Sequence, residues 1–441
     1  MGRAGVDAAK EPMKLSLDLA TEWDKQHIWH PFTQMRGWTA AEHQPLFIVS
    51  GEGPWLFDVA GKRYLDGNSS IWTNIHGHNH PRINRAVLEQ LNRIAHSSFL
   101  GFSNFPAAEL AKRLVDLVPG SKLTRVFYSD DGSTGMEVAV KMTVQYFQQI
   151  GLPQKNRFAA FADAYHGDTL GASSLGGIQS FHDKFSALHF PRVPLSEVSD
   201  LNRIDGETLA AVAIEPLIQG AAGMRTWPLG MLKALRQWCD DHQVLLIFDE
   251  VMTGFGRTGR MFACQHEGVS PDFLVLAKGL TGGYLPLAAT LTTETVYEGF
   301  LGEFDELRTF FYGHSYAGNP LGCAAALGSL EVFEQEAVLD RVGNVVEVFQ
   351  RELGNLRTLP WVRDIRQVGM IAGIELGKPD GRPFDWRDRK GAKVCQSARE
   401  FGLLTRPIQD VVVLMPPLCV GEEEVCLGIE AVAKGIKVAC R

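Results

Sequence analysis

Between residues 125 and 277 short, continuously apolar runs recur: Arg125-Val-Phe-Tyr, Arg157–Phe161, Leu209–Ile214, Val244–Phe248 and Phe273–Ala277. Helical spacing fills the intervals, as in Gly135–Gln149 and in the stripe Met231, Leu232, Leu235 and Trp238. A strand that is apolar on both faces must be covered on both. Strand–helix alternation of this kind therefore predicts an α/β fold, a mostly parallel sheet with helices on either side. Upstream, Leu46–Val49 and Trp55–Asp58 with the Asp58–Gly61 turn predict short hairpin strands. Downstream the pattern turns to long helices over Leu321–Gln335 and Leu339–Leu356, strands over Val362–Val368, Met370–Leu376 and Val411–Met415, and a last helix over 422–438. Lys378–Lys390 is charged and turn-rich and reads as an exposed loop. The expected organisation is a flexible tail over 1–20, a large domain over 67–330, and a smaller α+β domain assembled from 21–66 and 331–441. The two ends are paired because neither holds enough sheet for a core of its own.

Composition changes this picture little. The 441 residues are 45% hydrophobic and 21% charged, which excludes a disordered or fibrous chain. With 43 Lys+Arg against 51 Asp+Glu the net charge is -8, so the positive footprint of a nucleic-acid or anionic-membrane binder is missing. No apolar run approaches the ~18–20 residues of a spanning helix. The N-terminal segment has no continuous apolar stretch of a secretion signal, and Val6 stands where a myristoylation signal needs Ser or Thr. Seven scattered cysteines without a C-x-x-C pair read as reduced thiols of a cytoplasmic protein.

Ligands of open parallel sheets sit beyond the carboxyl ends of the strands. Three polar residues end apolar strands: Glu215, Asp249 and Lys278. Singly, each reads as a solvated or ion-paired strand end. Jointly, an acid and an amine on one sheet edge suit pyridoxal 5'-phosphate (PLP), which needs a desolvated nucleophilic lysine and a carboxylate that keeps the ring nitrogen protonated. Ser129-Asp-Asp-Gly-Ser-Thr-Gly135 lies between a strand and a helix. It is either a phosphate cradle at a helix N-terminus or an ordinary turn capped by Ser133 or Thr134. Asp131 is awkward in a cradle unless its carboxylate turns away. Tyr165, in Tyr165-His166-Gly-Asp, either covers a planar cofactor or packs in the core. Gly254-Phe-Gly-Arg-Thr-Gly259 matches G-x-G-x-x-G, but no amphipathic helix opens after it, and a dinucleotide reading is weak. His76-x-His78-x-His80 lies in a loop without an adjoining Cys or acid cluster, so no metal is expected.

Phe248-Asp-Glu-Val-Met-Thr-Gly-Phe-Gly-Arg-Thr-Gly259 followed by Leu276-Ala-Lys-Gly-Leu-Thr-Gly-Gly283 resembles the signature of the class III, fold-type I PLP-dependent aminotransferases. His27-Ile-Trp-His-Pro-Phe-Thr-Gln-Met35, Ser69-Ser-Ile-Trp72, Ile75-His-Gly-His78 and Leu414-Met-Pro-Pro417 narrow the likeness to the 7,8-diaminononanoate synthases of biotin biosynthesis, over about residues 20–438. The resemblance implies a homodimer with its site at the subunit interface. Lys278 would carry the cofactor and shuttle the proton, and Asp249 would bind the pyridine nitrogen. Asp131, Gly132 and Ser133 would hold the phosphate, helped by His314 and Ser315, the latter from the partner. Tyr165 and His166 would lie near the ring, with Glu215 orienting neighbours. Arg406 would receive the substrate carboxylate. Phe32, Ile71, Trp72 and Gly313 would line the pocket for 8-amino-7-oxononanoate.

The donor is less constrained. The branch using S-adenosylmethionine typically has Trp-Trp where this chain has Ile71-Trp72, a Tyr at Phe32, and Gly-Pro-Thr-Phe where it has Gly313-His-Ser-Tyr316. Losing an aromatic face weakens a platform for a sulfonium ligand, which favours L-lysine over S-adenosylmethionine. The alternative is another class III aminotransferase acting on an ω-amino acid.

Overall fold

The protein is described by a computed structural model over residues 15–118 and 120–441. The chain divides into two compact units, residues 1–50 with 57–62 and residues 51–56 with 63–441. In the smaller unit a helix runs over Leu17–His27, its N-terminus capped by the Ser16 hydroxyl, which accepts from the Leu19 amide at 3.2 Å. Residues 17–20 of the expected flexible tail are therefore helical, and its residues 1–14 lie outside the described ones. Buried Asp24 on this helix accepts from the Trp38 indole N–H at 2.7 Å and lies 3.0 Å from His30 Nε2. The His30 ring packs 4.0 Å from that of Trp38.

The larger unit is built on a seven-stranded sheet. In chain order its strands are β1 (Leu123–Ser129), β2 (Arg157–Phe161), β3 (Arg192–Leu195), β4 (Leu209–Ile214), β5 (Leu245–Asp249), β6 (Phe273–Leu276) and β7 (Ala288–Thr293). Their spatial order is β1-β7-β6-β5-β4-β2-β3. All neighbours run parallel except β7, which is antiparallel to both β6 and β1. The mostly parallel α/β sheet expected from the alternation is present. β4 is buried at every residue, as a strand covered on both faces must be. On one face pack the helices Gly132–Gln149 and Leu170–Leu175, with Met136, Val138, Ala139 and Phe147 buried against the strands. The helix Met231–Asp241 buries the expected stripe of Met231, Leu232, Leu235 and Trp238 in the other, larger core.

The sequence reading passes over two strands. β3 contains Pro194, which an edge strand tolerates because its missing N–H faces away from the ladder. β7 reads as polar because Thr290 and Thr292 are buried, but their hydroxyls donate to the carbonyls of Gly135 (3.0 Å) and Asp272 (3.0 Å). Toward the C-terminus, strands Val362–Val368, Ile371–Leu376 and Val411–Leu414, near their expected bounds, form a separate antiparallel sheet with Pro407–Ile408, which the sequence reading does not predict. The helices Pro320–Gln335, Val338–Asn355 and Glu422–Ala439 likewise fall where the periodicity puts them. No helix among the described residues is long and apolar enough to cross a membrane.

Candidate active site

Parallel strands fix which residues share an edge. β4, β5 and β6 all end on the same side of the sheet, and just there stand Glu215, Asp249 and Lys278. They line one cavity of about 500 Å³ together with Trp72, Asp131, Gly132, Ser133, Tyr165 and His166. The sequence thus identifies nine of the residues that meet at this edge.

Asp249 is buried. Its Oδ2 lies 2.8 Å from His166 Nδ1 and its Oδ1 accepts from the Val251 amide at 3.1 Å. His166 Nε2 is buried with no hydrogen-bond partner among the described residues. Lys278 sits at φ 41° just past β6, and burial lowers its amine below the usual lysine range, against the pull of Asp249 and Glu215 toward the charged form. Its Nζ lies 4.7 Å from the centre of the Trp72 ring. Glu215 accepts from the amides of Tyr165 (3.3 Å) and Gly220 (2.9 Å), and burial raises its carboxyl to about 7. The Tyr165 hydroxyl donates to Asp168 at 2.7 Å, and burial pushes that phenol well up.

The segment before the helix Gly132–Gln149 has the form of an anion cradle. The N-cap is Asp131, correcting the expectation of Ser133 or Thr134, and its carboxylate accepts from the Thr134 amide at 2.9 Å. It therefore turns into its own helix, which removes the repulsion that made it awkward beside a phosphate. The amides of Gly132 and Ser133 open the helix, where its dipole favours an anion. A Cβ on Gly132 would come within 2.6 Å of Val251 Cγ1, so only glycine leaves this room. These residues fit PLP: an amine of lowered basicity, a buried acid with an imidazole behind it, and a cradle for the phosphate, all on one cavity.

Other expected residues are not brought here. Ile71 is exposed and is not on the cavity wall within one chain. Gly313, Ser315 and Arg406 are exposed and are not on this wall within one chain. His314 is held beside it, with Nδ1 2.7 Å from Asp130 Oδ2 and Nε2 3.0 Å from the Tyr312 hydroxyl. Phe32 is in the smaller unit and exposed there. Val251, Met252 and Tyr284–Leu287 line the cavity although the sequence reading did not single them out. The signal available was adjacency, since they continue the strand-end segments that begin at Asp249 and Lys278.

The two discounted motifs also find their places. Arg257, within Gly254–Gly259, is fully buried and donates to the carbonyls of Pro416 (2.6 Å) and Asn74 (2.8 Å). His76, His78 and His80 go to separate partners: Ser329 Oγ (3.0 Å), Asp66 Oδ2 (3.0 Å) and Glu336 Oε1 (3.3 Å).

Comparison with known proteins follows the same line. The sequence profile of the aminotransferase class-III family matches residues 38–436. An adenosylmethionine-8-amino-7-oxononanoate aminotransferase of Geobacter sulfurreducens is 48% identical over 94% of this chain and 96% of its own. The structure of the enzyme of that name from Methanocaldococcus jannaschii superposes with a TM-score of 0.92 at 42% identity, covering 96% of this chain and 99% of the other. The omega transaminase of Pseudomonas jessenii, solved with PMP, gives 0.89 at 29% identity over 95% and 98%.

Proposed function

The chain belongs to the aminotransferase class-III family, and on that premise we propose that it converts 8-amino-7-oxononanoate to 7,8-diaminononanoate, the amination step of biotin biosynthesis. The observation that carries the chemistry is the single cavity on which Lys278, Asp249 and the Gly132 cradle meet. The relatives' names supply the substrate.

PLP, when bound, supplies a carbonyl that condenses with amines and a ring that accepts carbanion electrons. The chain's residues do the rest. Lys278 Nζ, whose basicity burial lowers, accepts and returns the proton at the substrate carbon. Asp249 would hold the ring nitrogen of the bound cofactor, and His166 fixes the carboxylate's orientation through the 2.8 Å contact. The Gly132 and Ser133 amides take the phosphate. Tyr165 and Val251 wall the cavity. Arg406, exposed and without a carboxylate partner among the described residues, receives the substrate's carboxylate. Gly313 and Ser315, exposed between the apolar side chains of Phe311 and Tyr316, suit a homodimer in which they complete the partner's site.

For the donor we favour S-adenosylmethionine. The expectation of lysine rests on three departures, Ile71-Trp72, Phe32 and Gly313-His-Ser-Tyr316, and against the first of them Trp72 keeps an aromatic face on the cavity. The relatives' names print adenosylmethionine. Holoenzyme given 8-amino-7-oxononanoate and either donor, with 7,8-diaminononanoate followed by mass spectrometry, decides it. Product with lysine alone reverses the donor assignment, and product with neither rejects the function.

A further inference from the structure

Ser69, Ser70, Ile71 and Trp72 pass through four successive left-handed conformations, with φ of 45, 49, 66 and 70°. None is glycine and Ile71 is β-branched, so each Cβ crowds a neighbouring carbonyl and the turn does not hold itself. A backbone of this kind persists only where its surroundings over-determine it. Here the surroundings are built around Asp66. Its buried carboxylate accepts from the Ser70 amide (Oδ1, 3.0 Å) and from the Ser70 hydroxyl (Oδ2, 2.8 Å), and His78 Nε2 steadies it at 3.0 Å. The Ser69 hydroxyl donates to the Met415 carbonyl at 2.6 Å, and the Trp72 indole N–H donates to Asn68 Oδ1 at 2.9 Å.

The turn ends at Trp72, whose ring faces Lys278 Nζ at 4.7 Å. Handedness decides where that ring goes, because a right-handed turn from the same start would send the Trp72 side chain in another direction. An aromatic face stabilises a cation close above it. The Trp72 ring therefore opposes the effect of burial on the lysine.

We propose that Asp66 is a positioning residue for the amine of Lys278: it winds residues 69–72 left-handed and so holds the Trp72 indole against Nζ. Asp66 does not line the cavity, so it acts through Trp72. The charges that act on Lys278 are those of Asp249, Glu215 and Arg257, while His78 and Arg257 face Asp66 itself. The proposal rests on reading Lys278 as the cofactor-linked amine.

The test is a double-mutant cycle on the holoenzyme with Asp66→Asn, Trp72→Ala and both together, reading the pH midpoint of the bound cofactor's visible absorbance. Each single variant should move the midpoint downward by roughly half a pH unit, the effect of losing one partly desolvated cation–π contact. The double variant should match Trp72→Ala alone. An unmoved midpoint in Asp66→Asn, or a double variant in which the two shifts add, overturns the proposal. Should Asp66→Asn not fold, Ser70→Ala removes only the hydroxyl from the same carboxylate and is read against the same cycle. The readout needs no 8-amino-7-oxononanoate, so its failure is separate from failure of the proposed reaction.

Discussion

Replacing Glu215 with glutamine should change the pH dependence of folding more than folding itself. The carboxyl is buried at the end of β4 and holds two backbone amides, Tyr165 at 3.3 Å and Gly220 at 2.9 Å. Burial raises it from 4.5 to about 7, with the nearby Asp249 charge adding to the rise and His166 opposing it. Between these two values the folded chain binds more protons at this site than the unfolded chain. The stability contributed is thus fully present below pH 4.5 and lost as pH rises through 7. At about 1.4 kcal/mol per pH unit the loss is about 3 kcal/mol. Glutamine does not titrate, and its single oxygen accepts from only one of the two amides. Its –NH2 group then confronts the other N–H, at a cost of about 1–3 kcal/mol at every pH. Urea midpoints of apoprotein and Glu215→Gln, measured from pH 5 to pH 8, should put the natural chain ahead at pH 5. The gap should shrink by about 2.5 kcal/mol between pH 5 and pH 8, with the variant level or ahead at the upper end. Apoprotein is used so that cofactor linkage does not add to the signal. A gap constant to within about 0.5 kcal/mol over the series would refute the assignment of the raised carboxyl to Glu215.

Lys278→Ala should abolish turnover while leaving the fold intact, and borohydride reduction of the loaded protein should then fix no cofactor to the chain; a retained label at another lysine would displace Lys278 from its role. Gly132→Ala places a Cβ against Val251 Cγ1 at 2.6 Å, and overpacking of about 1–3 kcal/mol should weaken PLP affinity by on the order of tenfold or more. Adding Val251→Ala should restore most of that affinity in equilibrium dialysis, and no rescue would mean that the glycine serves something other than room. Ile71→Gly relieves a left-handed conformation at an exposed β-branched residue, worth about 1–2 kcal/mol, against the greater chain entropy of glycine at about 0.5–1 kcal/mol. The thermal midpoint should therefore rise slightly, and a clear fall would show that φ 66° is not strained there.

How much of this was legible in the sequence follows from the physics of each signal. Strand-end residues were readable because a continuously apolar strand in a parallel sheet announces both its burial and its carboxyl end. Asp249 and Lys278 therefore pointed to one edge before any coordinates, and β5 and β6 place them there. Asp131 was legible as chemistry but not as geometry. Its carboxylate could have faced the phosphate or its own helix, and only the bond to the Thr134 amide decides that. Buried threonines in β7 look polar in a sequence because their satisfaction depends on carbonyls supplied from elsewhere, at Gly135 and Asp272. Arg257 is a related case: the sequence reading passes over it, and only the three-dimensional fold brings the Pro416 and Asn74 carbonyls around its guanidinium.

Ile71 and Trp72 carry the lesson furthest. Adjacent residues in an ordinary strand would face opposite sides, and in a right-handed helix they would lie about 100° apart, so sequence alone leaves open which of them meets the cavity. The answer is set by four left-handed residues in a row, and no local propensity predicts such a turn for Ser-Ser-Ile-Trp. It is set by Asp66, three residues before the turn, and by Met415, some 340 residues after it. In this turn Ile71 lies on the exposed side and Trp72 on the cavity. Which of the two side chains meets a ligand of this cavity is thus a matter of backbone handedness rather than of side-chain chemistry.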